Sequence, residues 1–371
     1  MVSTAKHDWP MVRLGDVCEL QYGKALKKED RVEGEYRVFG SAGSVGTHVE
    51  ANFVGPVSVV GRKGSAGFVE WSSGNCWIID TAFGVFPKSE EQVDSRWLYW
   101  LLKDLRLGRL QKHAAVPGIS KADVVEEKFL LPPLDEQRRI AAILDEVDEA
   151  LFRVNQSLGD LLQLKQELFT DLFLRIERES TIIGEYLEST QYGTSDKANE
   201  NVGIPILRMG NVSYNGEIDL SDLKYVELDA SDREKYSLKA GDLLFNRTNS
   251  KDLVGKTAVV PELQEEYTYA GYLIRCRVND KAVPEYISGF LNSVLGKKIL
   301  RNTAKAIVGM ANINANELKR LPIPQASLDE QQEFAFLTSR IDDVESQMKR
   351  QRKLLQELQE SLSTRAFQGE L

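Results

Sequence analysis

The tetrapeptide Leu-Asp-Glu-Gln occurs twice, at Leu134–Gln137 and Leu328–Gln331, and each copy opens a long charged stretch with apolar residues at heptad spacing. The offset of 194 residues also pairs Ile119 with Ile313, Leu161 with Leu355, Leu168 with Leu362 and Phe173 with Phe367. A register held without a gap over that span marks an internal duplication. Two like units in one chain imply a pseudo-two-fold molecule, which suits a partner that is itself two-fold or offers two sites. Duplex nucleic acid is such a partner.

The duplication divides the 371 residues into four segments: globular domains at 1–134 and 180–328, and helical stretches at 135–179 and 329–371. A chain of this length exceeds what one hydrophobic core usually serves. The globular segments mix short β-type runs (57–60, 76–79, 82–86; 204–207, 242–245, 258–260) with helices expected near 94–105 and 284–300. That composition predicts two α+β domains joined by helices. Gln21-Tyr22-Gly23 answers Gln191-Tyr192-Gly193, and Gly61-Arg62-Lys63-Gly64-Ser65 falls where Asn246-Arg247-Thr248-Asn249-Ser250 does. The frame is shared and the loops differ, as in modules that keep a scaffold and diverge in what they contact.

In the first helical stretch Ile140, Val147, Val154, Leu161 and Leu168 form one heptad row, with Leu144, Leu151, Leu158 and Leu172 in the other. Lys165 alone interrupts the pattern. The second stretch keeps one row as Phe334, Ile341, Met348, Leu355 and Leu362 but puts Thr338, Glu345, Arg352 and Gln359 in the other, so its apolar stripe is expected to drift onto Leu337, Val344 and Leu358. Two such helices, each following a globular domain, predict an intramolecular antiparallel coiled coil. A helix of some 33 residues is about 50 Å long. Such a rod can hold two DNA-reading modules one turn of duplex, roughly 34–36 Å, or slightly more apart.

Charge permits that reading. The formal net charge is −9, which by itself opposes phosphate binding. Yet the acidity is concentrated in the helical stretches, at −5 and −3, while the globular segments are neutral or −1. Acidic helices are repelled from DNA and left for protein partners. The three cysteines are scattered and only three histidines are present, so neither disulfides nor a metal site is expected. With no apolar signal core and no run of eighteen apolar residues, a cytoplasmic protein without a membrane span is expected.

The order of globular domain, Pro132-Pro133-Leu134-Asp135-Glu136-Gln137, long helix, globular domain, Leu-Asp-Glu-Gln and long helix resembles the specificity subunits of type I restriction-modification systems. Gly118-Ile119-Ser120-Lys121, the matching Asn312-Ile313-Asn314, and Gly241-Asp242-Leu243-Leu244-Phe245-Asn246-Arg247 carry the resemblance further. One departure is Pro322-Ile323-Pro324-Gln325-Ala326-Ser327 in place of Pro-Pro before the second copy. The resemblance implies two target-recognition domains reading the halves of a bipartite, asymmetric DNA target, with helices that fix the spacer. It also implies two docked modification subunits that bring S-adenosylmethionine and methylate adenine, and restriction subunits that use ATP and Mg. No cofactor is expected in this chain.

Base reading requires Arg or Lys for guanine, Asn or Gln for adenine, and Ser or Thr as adaptable donors. The leading candidates are therefore Arg62, Lys63 and Ser65 in the first domain and Asn246, Arg247, Thr248, Asn249, Ser250 and Lys251 in the second. Ser41, Ser44 and His48, with Tyr192, Ser195, Lys197, Arg208 and Asn211, form a second rank. Lys112, His113 and Lys305 are phosphate candidates. As base readers, Arg247 would matter more to specific than to non-specific binding, and Arg62 to the other half-site. Neither an adenine-methylation Asn/Asp-Pro-Pro-Tyr motif nor a GxxxxGK[ST] loop occurs, so the chain is expected to be non-catalytic. The competing reading is a coiled-coil scaffold joining two protein-binding domains that never meets DNA.

Overall fold

The structure, a computed structural model, describes residues 8–111, 118–307 and 310–371. Contacts divide the chain into two compact units, Met1–Asn155 with Arg350–Leu371, and Gln156–Lys349. Each unit therefore holds one globular domain and half of each long helix, a division that cuts across the four segments drawn from the sequence.

The first domain contains β1 (Met11–Arg13), α1 (Leu14–Val17), β2 (Cys18–Tyr22), β3 (Tyr36–Gly40), β4 (Gly43–His48), β5 (Val57–Gly61), β6 (Val69–Ser72), β7 (Cys76–Ile78), β8 (Ala82–Pro87), α2 (Ser95–Asp104), α3 (Lys121–Val125) and β9 (Lys128–Leu130). Helix α4 (Leu134–Phe173) follows. The second domain contains β10 (Ser180–Ile182), β11 (Leu187–Tyr192), β12 (Ile204–Leu207), β13 (Lys224–Val226), α5 (Ala230–Tyr236), β14 (Leu243–Asn246), β15 (Thr248–Asn249), β16 (Thr257–Val259), β17 (Thr268–Tyr269) and β18 (Leu273–Val278). It ends with α6 (Pro284–Asn292), α7 (Val294–Thr303), β19 (Lys305–Ile307), β20 (Met310–Asn312), α8 (Ala315–Lys319) and β21 (Pro322–Pro324), before α9 (Leu328–Phe367).

The duplication holds for three sheets, while β15-β20-β19 of the second domain has no counterpart sheet among the described residues of the first. Order β2-β8-β5-β6 recurs as β11-β18-β14-β16, β4-β3-β7 as β13-β12-β17, and β1-β9 as β10-β21. Even the parallel pairing of β3 with β7 returns between β12 and β17. The helix expected near 94–105 is α2, whose N-cap Asp94 accepts from the backbone of Arg96 and Trp97, satisfying two otherwise unpaired donors. The stretch near 284–300 is two helices, because Ser293 turns extended and its hydroxyl caps α7 through Gly296 N.

Both Leu-Asp-Glu-Gln glutamines are completely buried. Gln137 accepts from Asp94 N at 2.8 Å and donates to the carbonyls of Gln92 and Pro132, both at 2.9 Å. Gln331 accepts from Val283 N at 3.0 Å and donates to Lys281 and Ala326 at 3.2 and 3.0 Å. Each amide ties the start of a long helix to the N-cap of α2 or α6 and to the residue two before it. A buried amide is tolerated because all these bonds are made.

Helices α4 and α9 pair antiparallel. In the first unit Ile140, Leu144, Val147, Leu151 and Val154 are buried, Leu362 and Phe367 of α9 pack against the core that holds Ile140 and Leu144, and Gln359 donates to Asp148 at 3.3 Å. In the second, Phe169 and Phe173 of α4 lie edge-on to Phe334 of α9, with ring centroids 5.4 and 5.7 Å apart, over Tyr286 of α6. Leu168 packs against the same core. Leu158 and Leu161, with Ile341, Met348, Leu355 and Leu362 of α9, are half-buried. The expected drift of the second stripe is corrected at two of its three positions: Val344 and Leu358 are exposed, and only Leu337 is half-buried, together with the polar Thr338, Glu345, Arg352 and Gln359.

Candidate nucleic-acid interface

Strands β2 and β11 end on Tyr22 and Tyr192, both substantially exposed. The glycine that follows each is required by close approach: a Cβ on Gly23 would fall 2.1 Å from the Ile79 carbonyl oxygen, and one on Gly193 2.3 Å from that of Tyr269. Next to these tyrosines, β5 and β14 run out into Arg62 and Arg247. The two arginines are held alike. Arg62 N donates to Thr81 O at 2.9 Å and its carbonyl accepts from Ile119 N at 2.9 Å; Arg247 N donates to Tyr272 O at 3.0 Å and its carbonyl accepts from Ile313 N at 2.9 Å.

Their side chains match as well. The Arg62 guanidinium lies 4.9 Å over the Tyr22 ring and donates through Nη1 to Asp80 O at 3.1 Å. That of Arg247 lies 4.8 Å over Tyr192 and donates through Nη1 to Gly271 O at 3.4 Å. Both Nε atoms are buried without a partner, and among the described residues no carboxylate pairs with either arginine. The Ile119–Ile313 match seen in the sequence thus supplies equivalent backbone donors to equivalent arginines.

The surroundings of the two arginines differ. In the first domain Lys63, Gly64 and Ser65 are exposed, Gly64 at φ +73°. The Ser41 carbonyl lies against Gly61, 2.3 Å from where a Cβ would stand, which brings Ser41 into this loop cluster. Ser44 is exposed on β4, its backbone N–H on Glu70 at 3.1 Å. In the second domain the Thr248 hydroxyl accepts from Asn312 at 2.6 Å, and Asn249 accepts from Ser250 N at 2.8 Å. Ser195, Lys197, Ser250 and Lys251 are exposed.

Three candidates, His48, Asn211 and Asn246, are turned into the fold, and the expectation for them is corrected. His48 is buried edge-on to Trp77, its Nδ1 accepting from Val32 N at 3.2 Å. Asn211 is buried and spends its amide on Arg208 N, Asp219 O and Asp222 O, all at 2.9 Å. Asn246 is completely buried beneath Asn249, to which its Oδ1 is bonded at 3.1 Å. Arg208 is paired with Asp222 at 2.9 Å, and Lys305 with Glu317 at 2.5 Å. Lys112 and His113 lie outside the described residues. Tyr22 was not among the candidates, although the repeated Gln-Tyr-Gly was its signal. A cleft of about 640 Å³ in the second unit, bordered by Lys165, Glu217, Lys297, Asp342 and Lys349, contains none of the candidates.

The family described as type I restriction modification DNA specificity domain matches twice, over residues 6–163 and 183–360. The chain belongs to this family. Its relatives include the type I restriction enzyme EcoKI specificity subunit of Escherichia coli K12, 28% identical over 72% of this chain and 62% of that protein. The putative MjaX specificity subunit of Methanocaldococcus jannaschii is 32% identical over 49% of this chain and 43% of its own length. The match thus spans less than two thirds of the length of these curated relatives. In fold, this type I specificity chain is similar to the type I S subunit from M. genitalium, with a TM-score of 0.67 at 16% identity over 99% of this chain and 98% of that one. A chain from a type I R-M system, solved in work on complex assembly and conformational transition, gives 0.57 at 16% identity, covering 98% of both chains. Among the described residues of this specificity protein, no helix is long and apolar enough to cross a membrane.

Proposed function

We propose that this chain is the DNA-recognition subunit of a cytoplasmic type I restriction-modification assembly. Each globular domain reads one half of a bipartite, asymmetric duplex target, and α4 and α9 fix the spacer between the halves. One observation carries this reading: both domains hold an arginine in the same frame over a tyrosine, yet surround it with different hydrogen-bonding side chains. A shared frame with unlike neighbours suits two readers of unlike half-sites. The candidate reading set is Ser41, Lys63 and Ser65 beside Arg62, and Ser195, Lys197, Thr248, Asn249, Ser250 and Lys251 beside Arg247.

Phe152 on α4 and Phe336 and Leu354 on α9 are largely exposed, which supports the helices as docking surfaces for two modification subunits. Those subunits supply S-adenosylmethionine and the methyl transfer, and restriction subunits supply ATP- and Mg-dependent cleavage. This chain contributes no catalytic group. The test is to express it with its modification subunit, map methylated adenines on exposed DNA, and measure gel shifts on the motif found. One motif with two dissimilar halves is expected. Tight partner binding with no sequence-selective shift overturns the reading in favour of a scaffold that never meets DNA.

A further inference from the structure

What two domains share cannot carry the difference between two half-sites. Arg62 and Arg247 have the same set of partners: a backbone carbonyl that accepts from their N–H, an isoleucine N–H that donates to their carbonyl, a tyrosine beneath and a carbonyl that ties Nη1. We propose that they are twin phosphate anchors, each donating from its Nη2 edge to the duplex backbone, and that base choice lies with unshared neighbours such as Lys63 in one domain and Asn249 in the other. This deepens the DNA-recognition reading, rests on it, and departs from the base-reading role that residue type alone suggests for the arginines.

Three observations support an anchor. Nη1 is tied back to the domain's own sheet and the guanidinium lies across a ring, so the side chain is held against the fold rather than extended toward a base edge. Its rotamer freedom is already lost on folding, which removes an ordering cost from binding. The charge is also unanswered: among the described residues neither arginine has a carboxylate partner, although the chain is acidic overall. A fixed, un-neutralised guanidinium with a free edge matches a phosphate, whose oxygens it bonds with planar, charge-assisted geometry. Contacts of that type set register without reading sequence.

The experiment uses the full chain assembled with its modification subunit, on the mapped target and on a scrambled duplex of equal length, across a salt series. Arg62→Ala and Arg247→Ala are each expected to weaken both duplexes by a similar factor and to lower the log K against log salt slope by about 1. The methylated motif should stay the same. Arg62→Lys and Arg247→Lys, which keep the cation, should keep the slope and thereby separate charge loss from damage to the fold. Lys63→Ala and Asn249→Ala should each relax the motif on one half only. Loss confined to the target, with one half of the motif relaxed, makes the arginines base readers and overturns the proposal. Unchanged affinity and slope in a folded variant reduces them to pins of the 80–81 and 271–272 segments. If the wild-type assembly selects no target at all, the DNA reading itself fails.

Discussion

Glu330 sits three residues beyond Ser327, and the two close a reciprocal cap on α9. Ser327 N and Oγ donate to the Glu330 carboxylate at 2.8 and 2.9 Å, and Glu330 N donates back to Ser327 Oγ at 3.4 Å. This is a capping box, and it explains the departure before the second copy. Where the first helix is preceded by Pro133, Glu136 turns to Arg139 at 2.6 Å. Arg178 completes the site with a hydrogen bond at 2.8 Å, and that bond, ahead of those from Ser327, holds the Glu330 carboxyl down to about 2. An unfolded glutamate titrates near 4.3, so the stabilisation is present above about pH 4.3 and is lost as pH falls toward 2. Thermal melting should therefore drop over that interval, and the drop should be smaller in Glu330→Gln. Identical pH profiles for the two proteins would remove Glu330 from the account. Such polar roles were only partly legible in the sequence. Aligned loops exposed the equivalence of Arg62 and Arg247, but nothing local distinguishes Asn211, which closes a loop from inside, from Asn249, because both are asparagines in polar stretches that follow an apolar strand.

The long helices show why periodicity read one at a time has a limit. The heptads of α4 were plain, and Lys165 looked like a flaw in them. In the paired structure Lys165 meets Asp342 and lies 3.3 Å from Glu345, one of the polar residues that seemed to push the α9 stripe aside. Burial works against the charge on Lys165, but the two carboxylates together outweigh it and hold its pKa above the ordinary lysine value. Burial likewise opposes charge on Glu345, and Lys349 and Lys165 overcome it to keep the carboxyl below its usual range. Two interruptions in two separate stripes are thus one contact, which fixes where along α4 the other helix sits, as a polar core position does in coiled coils. Lys165→Leu leaves those carboxylates facing an apolar side chain and should cost about 2 kcal/mol, below the range for a fully buried pair. Adding Glu345→Leu should restore most of it. Denaturant midpoints of the single and double variants check this; additive losses would mean that the residues do not act as a pair.

For the whole molecule, the distribution of charge matters more than its sum. The net negative charge is concentrated in the stretches that hold α4 and α9, and the cations proposed to face DNA are Arg62, Lys63, Lys197, Arg247 and Lys251. With those alone, the chain by itself should bind duplex with a log K against log salt slope no steeper than about −4.5. If the proposed modification subunit adds phosphate contacts of its own, assembly with it should steepen the slope; a steeper slope from the chain alone would reveal a basic surface beyond these five cations. Two globular domains and two helices were legible from the repeat, but their grouping into compact units was not. Each helix contributes half its length to each unit, and a linear chain does not announce where such a division falls. The glutamines at the helix starts carry a different consequence. Gln137 and Gln331 bond only backbone atoms of the domains they hold. Side-chain substitutions in these domains that preserve the local backbone therefore leave each seat intact, so the start of each long helix can accept a domain of unrelated sequence.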